Sequence, residues 1–245
     1  MNVSLYQAAA AMNANARWQE LISENLAAGS APGYRKQDVS FTSVEAGLNA
    51  AGSTVRQAIP AAIAATNFRQ GPLQPTGGAM DFAIEGPGFF EVQLPNGDHA
   101  YTRDGEFQLN SLGQLVTKEG YTVLSDVGPL QFDLNNPGTI TISATGDVSQ
   151  GSELKGHLRL VEFADPHRLT SIGDGMFLAN HPEALPDAAT SSAVRQGFLE
   201  AANTSPTAEM SSLITAMRMF EANQRVLSMQ DERMGKVITE LGNPT

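Results

Sequence analysis

From Ser205 to Leu241 the apolar residues recur at alternating steps of three and four: Met210, Leu213, Met217, Phe220, then Leu227, Met234, Ile238 and Leu241. Only Gln224 and Asp231 interrupt the register. That spacing lays one narrow apolar stripe along a long helix, the heptad seam by which helices pair in coiled coils. Ser205 stands where a cap belongs, and Pro206 suits the first helical position, where its missing N–H costs nothing. Gly242 and Pro244 follow the last apolar residue and stop the helix. A stripe this narrow cannot close a core alone, so it needs a partner helix.

The partner lies at the other end of the chain. Leu5, Ala8, Met12, Asn15, Gln19, Ile22 and Leu26 repeat the three-four spacing, and Ala9 and Ala16 add small residues that permit close approach. Gly29 and Pro32-Gly33 end the segment. The sequence therefore reads as α+β. Long terminal helices, about 2–28 and 206–241, pair as a coiled-coil-like unit, and an all-β sandwich or barrel-like domain is inserted between them. A plain α+β domain whose terminal helices pack on a sheet would use the same elements. Residues 1–41 and 196–245 form the helical domain in this division, 42–80 an extended linker or β segment, and 81–195 the β domain.

Residues 42–66 are rich in Ala, Gly, Ser and Thr without firm periodicity, and Pro60 undermines the helical look of 59–65. They read as an extended segment with few anchors, mobile in the free chain. From Asp81 the pattern turns to strands. Phe90, Val92 and Leu94 alternate onto one face. Pro95-Asn96-Gly97-Asp98 then supplies a hairpin turn, and Asp104-Gly105, Leu112-Gly113 and Glu119-Gly120 continue the punctuation. Phe90, Val92, Leu94 and Tyr101 are expected in the core, and Gly86 and Gly88 in backbone conformations awkward for other residues.

Chemistry is not written into this pattern. His99, His157, His167 and His181 are scattered, with no second histidine at ligand spacing. Gly86-Pro87-Gly88 lacks the third glycine of a dinucleotide fingerprint and precedes a strand, not a helix. Asp81, Glu85, Glu91, Asp104 and Glu106 straddle turn signals, where solvated or turn-capping carboxylates are usual. No nucleophile elbow or phosphate-binding loop occurs. Cysteine is absent, which removes disulfides and thiolate sites, and a net charge of −11 with 15 basic residues argues against nucleic acid. Ala8-Ala9-Ala10-Ala11 imitates a cleavage region, but no basic residue precedes Arg17 and Gln7 and Asn13 break the apolar run, so no cleaved signal is expected. Nor does any apolar run span a bilayer. The expectation is no enzyme, cofactor, metal, nucleic acid or membrane insertion.

Several segments resemble the bacterial flagellar rod and hook protein family. They are Gln70-Gly71-Pro72-Leu73-Gln74-Pro75-Thr76, Asp81 through Val92 with Gly86, Gly88, Phe89 and Phe90, Tyr101-Thr102-Arg103-Asp104-Gly105-Glu106-Phe107, and Gly113-Gln114-Leu115-Val116. Ser23-Glu24-Asn25-Leu26-Ala27 followed by Pro32-Gly33-Tyr34-Arg35 is similar to the family's start. Gln196-Gly197-Phe198-Leu199-Glu200, Asn203, Glu209-Met210 and Arg218-Met219-Phe220-Glu221 are similar to its end. Ala28 and Ala31 depart from the usual Asn and Thr. The resemblance implies a self-assembling structural subunit of the basal-body rod, in its periplasmic span. It also implies export without a cleaved signal through the flagellar type III apparatus, and partners in its own copies and other rod proteins. The stretch from Met219 to Glu232 resembles the proximal rod protein; the distal rod protein, similar around Gly88-Phe89-Phe90 and Tyr101 to Gly105, is the alternative, placed second because its segment after the first helix is typically longer than Phe41 to Phe68 allows. A soluble β-domain binding module or adhesin is the alternative from a different class. The resemblance makes the seam residues Leu5, Met12, Ile22, Leu26, Met210, Leu213, Met217, Phe220, Leu227 and Ile238 the expected assembly surface. Alone, the terminal helices are expected to be partly unformed, because single narrow-striped helices are marginal in water.

Overall fold

The computed structural model describes the backbone of residues 3–50, 53–136 and 138–242, and their side chains except at 3–6, 43–50, 53–60, 238 and 240–242. It is α+β, with an N-terminal helix α1 (Val3–Ala27), a C-terminal helix α2 (Pro206–Gly242) and a β-rich middle. The chain forms two compact units: residues 1–27, 37–66 and 205–245 make one, and 28–36 and 67–204 the other.

In the helical unit, α2 begins at Pro206, and the Ser205 carbonyl accepts the first helical bond from the Glu209 amide at 2.9 Å. The Ser205 hydroxyl meets the Thr207 hydroxyl at 3.1 Å instead of capping an amide. Residues 42–66, expected as an unanchored extended stretch, are mostly a ribbon. Strand β1 (Gln37–Ala50) pairs antiparallel with β2 (Ser53–Thr66) in continuous register from Gln37↔Thr66 to Ala50↔Ser53. The signal was weak because a two-stranded ribbon need not alternate apolar and polar residues, and because Pro60 is tolerated where both strands are edges. The ribbon lies along α1. Trp18 meets Phe41 edge-on, with ring centroids 5.5 Å apart. Asn25, buried near the end of α1, locks the ribbon's root: its Nδ2 donates to the Gln37 carbonyl at 2.9 Å, and the Gln37 amide donates to its Oδ1 at 2.8 Å.

In the β unit, the largest sheet is organised around the strand Phe89–Gln93, which pairs with the hairpin strand His99–Thr102 on one side. On its other side Phe89–Gln93 pairs first with Leu160–Glu162, through Phe89↔Val161 and Phe90↔Leu160. It then pairs with Thr122–Ser125, through Val92↔Val123. The connecting turn uses Asn96-Gly97, with Gly97 at φ +88° and the Leu94 amide bonded to the Asp98 carbonyl at 2.9 Å. Successive residues of a strand face opposite sides. Accordingly Phe90 and Val92 enter the main core with Phe82, Ile84, Phe107, Leu115, Val123 and Leu158, and Leu94 packs at its margin. Phe89 and Tyr101 enter a second core on the other face, with Val161, Phe163, Leu169 and Phe177. Tyr101 therefore lies in a core, but on the side opposite Phe90.

Gly86 has φ +122°, as expected. Gly88 does not show a positive φ, so the expectation for it is corrected. What excludes a side chain there is crowding: a Cβ would lie 2.8 Å from the Ser192 hydroxyl, which already accepts the Gly88 amide at 2.8 Å.

Candidate assembly surface

The stripe of α2 buries a face one residue away from the expected register over half its length. Glu209 and Ala216 are buried and Leu213, Phe220, Asn223, Leu227 and Gln230 half-buried, while Met210 and Met217 are 52% and 51% exposed. Leu213, Phe220 and Leu227 thus sit on the covered face, and Met210 and Met217 lie on its flank. Ala216, at 0% exposure, is the point of closest packing. A small residue permits close approach where a methionine would hold the neighbouring element off. Glu209 lies in the first turn of α2, where a carboxylate is favoured by the helix dipole.

Helix α1 buries two faces. Ala8, Asn15 and Ile22 follow the expected seam, with Met12 and Leu26 half-buried beside it, while Ala14, Leu21 and Asn25 are buried on a second face. Two partners explain this, because α1 packs against both α2 and the ribbon. An apolar groove of about 430 Å³ runs between these elements, lined by Ala11, Trp18, Phe41, Met219 and Ala222 among others. The Leu5 and Ile238 side chains lie outside the described ones.

Cover over α2 ends near Gln230. Met234 falls on the same helical face as Ala216 and Phe220, yet is 47% exposed, and Val237 beside it is 52% exposed. At 1.5 Å per residue the 37-residue α2 is about 18 Å longer than the 25-residue α1. Ile214, Met219, Val226 and Met229 are also exposed. The helix therefore carries bare apolar side chains on both flanks of its covered face and along its distal end.

The family-motif residues of the β unit converge on a buried ion cluster. Glu200 is fully buried; its Oε1 accepts from Arg35 Nη1 at 2.6 Å and the Gly71 amide at 2.7 Å, and its Oε2 from Arg103 Nη1 at 3.3 Å. Arg103 also donates to the Gly86 carbonyl at 2.7 Å and lies 4.9 Å over the Phe89 ring. Burial pulls the Arg103 pKa down to about 10, with Arg35 adding to it and Glu200 opposing, so the group is charged at neutral pH. Gly33, at φ +68°, packs where a Cβ would lie 2.3 Å from the Asp104 amide nitrogen, and its own amide donates to the Glu200 carbonyl at 2.7 Å. Pro32 and Tyr34 flank it half-buried. None of this was visible in the spacing, because Arg35, Arg103 and Glu200 lie far apart in sequence.

The scattered titratable groups form small pairs. Glu91, buried, meets His99 Nδ1 at 2.5 Å through Oε1 and Arg159 Nε at 2.7 Å through Oε2, beside Tyr101. Burial raises the Tyr101 pKa to about 12, with Glu91 adding to it and Arg159 opposing. Both Glu91 oxygens are thus held in side-chain pairs, and the Tyr101 phenol stays protonated near neutrality. Asp104 pairs with Lys118 at 2.8 Å and Glu85 with Arg195 at 2.7 Å. Among the described residues no group of three His, Cys, Asp or Glu could hold a metal ion.

A structural fold with a bare helical surface is the class this molecule defines, and comparison with known proteins gives it a family. Residues 83–150 match the model of the flagellar hook protein FlgE/F/G D1 domain, and residues 195–240 that of the flagellar basal body rod FlgEFG protein C-terminal region. The chain is 33% identical to the flagellar basal-body rod protein FlgF of Caulobacter vibrioides over 225 residues, covering 91% of each chain. It is 33% identical to FlgG of Borreliella burgdorferi over 257 residues, 95% of this chain and 96% of that one. With FlgF of Mesorhizobium japonicum it shares 31% over 248 residues, 99% of each. The chain belongs to the flagellar basal-body rod protein family, and is a structural component of the flagellar basal body.

Proposed function

We propose that this chain is the proximal, FlgF-type subunit of the rod, and that its helical unit is the rod-core domain through which copies of the chain and other rod proteins join. The observation that carries the assembly part is the uncovered apolar surface of α2, on both flanks of its covered face and at its distal end. Exposed apolar surface gathered along one helix marks a site where another chain docks. Contacts that do not close on themselves build a helical array of subunits, the geometry of a shaft. Leu5, Met12, Ile22, Leu26, Leu213, Phe220, Leu227 and Ile238 serve in this scheme to pair α1 with α2 in coiled-coil fashion, and Met210 and Met217 meet a neighbour. The β unit, centred on the expected 81–195 domain, closes as a sandwich- or barrel-like body that takes no part in catalysis.

The proximal assignment rests on length. Alignments to the FlgF relatives run over 225 positions for 91% of this 245-residue chain and 248 for 99% of it, close to the residues covered, whereas the alignment to Borreliella FlgG runs over 257 positions for only 95% of it. FlgG-type chains thus carry insertions that this one lacks. The subunit reaches the periplasmic span of the rod through the flagellar type III apparatus without a cleaved signal, and its terminal helices order fully on docking.

Deleting the gene in a flagellated host tests the assignment. Loss of flagella with the proximal part of the rod itself left incomplete supports it. A rod that lacks only its distal part would move the chain to the distal position, and motile cells with normal basal bodies would overturn the structural role.

A further inference from the structure

We propose that Asn203 is a positioning residue that ties three passages of the chain out of the β unit into one joint, with the Glu200 cluster as its buried anchor. The chain leaves or enters this unit at 36/37, 66/67 and 204/205, besides the passage after α1 at 27/28. Asn203 meets all three of the former at once. Its Oδ1 accepts the Lys36 amide at 2.7 Å, its Nδ2 donates to the carbonyls of Asn67 at 2.7 Å and Arg69 at 2.8 Å, and its own amide donates to the Tyr34 carbonyl at 3.3 Å. The Asn67 amide closes the circle on the Lys36 carbonyl at 2.8 Å.

A carboxamide is the side chain suited to this position. It offers one acceptor and two donors in a plane, and the three surrounding backbone groups are one donor and two acceptors. Asp would lose both donations, and Ser could not span three segments. Three residues earlier, Glu200 fixes the same segments from below, through Arg35 next to Lys36 and the Gly71 amide beyond Arg69, while its carbonyl takes the Gly33 amide. The strands that continue into β1, β2 and α2 are therefore not independent tethers. They are fastened at one point, and load applied to any of them is shared by the others. This joint does not depend on which rod position the chain fills.

Site-resolved amide exchange on the full chain tests the proposal. Asn203→Ala removes the acceptor of Lys36 directly, so Lys36 alone is uninformative. The deciding amides are Asn67 and Gly33, whose acceptors are left untouched. They are expected to exchange about 100-fold faster, the effect of losing two or three shared hydrogen bonds, while amides of Phe89–Gln93 and Thr122–Ser125 stay unchanged. Asn203→Asp, which keeps the Lys36 acceptor, is expected to leave Lys36 protected and still release Asn67, and it decides the matter if the alanine variant does not fold. Unchanged Asn67 and Gly33 in either variant would overturn the joint. So would acceleration of the sheet amides in step with them, which would make Asn203 an ordinary part of one cooperative core.

Discussion

Glu200→Gln gives the sharpest test of the buried cluster. Two guanidinium groups share one carboxylate, and the side chains of Arg35, Arg103 and Glu200 are 0%, 3% and 0% exposed, so solvent does little to screen them. Gln is nearly isosteric. Its one carbonyl oxygen can still accept from Arg35 and the Gly71 amide, both of which use Oε1. Its NH₂ group would then face Arg103 Nη1, donor against donor, and the carboxylate that the two buried cations share would be gone. Removing one partner of a buried ion pair costs about 3–5 kcal/mol. Urea unfolding of the β unit, followed by near-ultraviolet dichroism of its aromatic cores, should show a loss of that size. Trp18, the chain's single tryptophan, lies in the helical unit and reports it separately by fluorescence. Adding Arg103→Met to the Glu200→Gln variant should cost less than the same change in the parent, because it removes the cation left without a partner. A loss below about 1 kcal/mol for Glu200→Gln, or additive costs in the double variant, would show that the cluster is not held by its charges.

Gly105→Ala should destabilise the β unit by at least ~3 kcal/mol, since the new Cβ would lie 1.6 Å from the Phe82 carbonyl oxygen, a main-chain atom; thermal unfolding measures it. Met217→Asp should leave the helicity and melting of the free chain unchanged and abolish motility on complementation, whereas Ala216→Asp, one residue along, should damage the free chain itself; equal effects of the two would refute the observed register of α2. In an alkaline spectrophotometric titration Tyr101 should ionise last, near pH 12. Its folded pKa lies above the unfolded value of about 10, so it contributes stability that is complete below pH 10 and lost between about pH 10 and 12. Tyr101→Phe should remove that slope.

The helices and their ends were legible because each follows from local rules: three-four periodicity, Pro206 at the first turn, Gly29 after α1 and Gly242 at the close of α2. The hairpin at Asn96-Gly97 and the burial of Phe90 and Val92 were legible for the same reason, since alternation and positive φ are properties of a few consecutive residues. Family membership was legible in short motifs that span the chain. Periodicity shows that a helix has an apolar stripe, but not which edge of that stripe is covered. Ala216 packs closely and Met217 stays bare because the neighbouring elements decide it. The second buried face of α1, with Ala14, Leu21 and Asn25, exists only because the ribbon of residues 37–66 lies beside it, and a ribbon without alternation leaves no local trace. The least visible features are those joined across the longest separations. Arg35, Arg103, Glu200 and Asn203 are ordinary polar residues one at a time, and only the closure of the β unit brings one carboxylate between two guanidinium groups and one carboxamide among three passing strands. Local propensity determines elements; burial and charge pairing between residues distant in sequence are set by the tertiary fold, which alone decides which groups lose their water together.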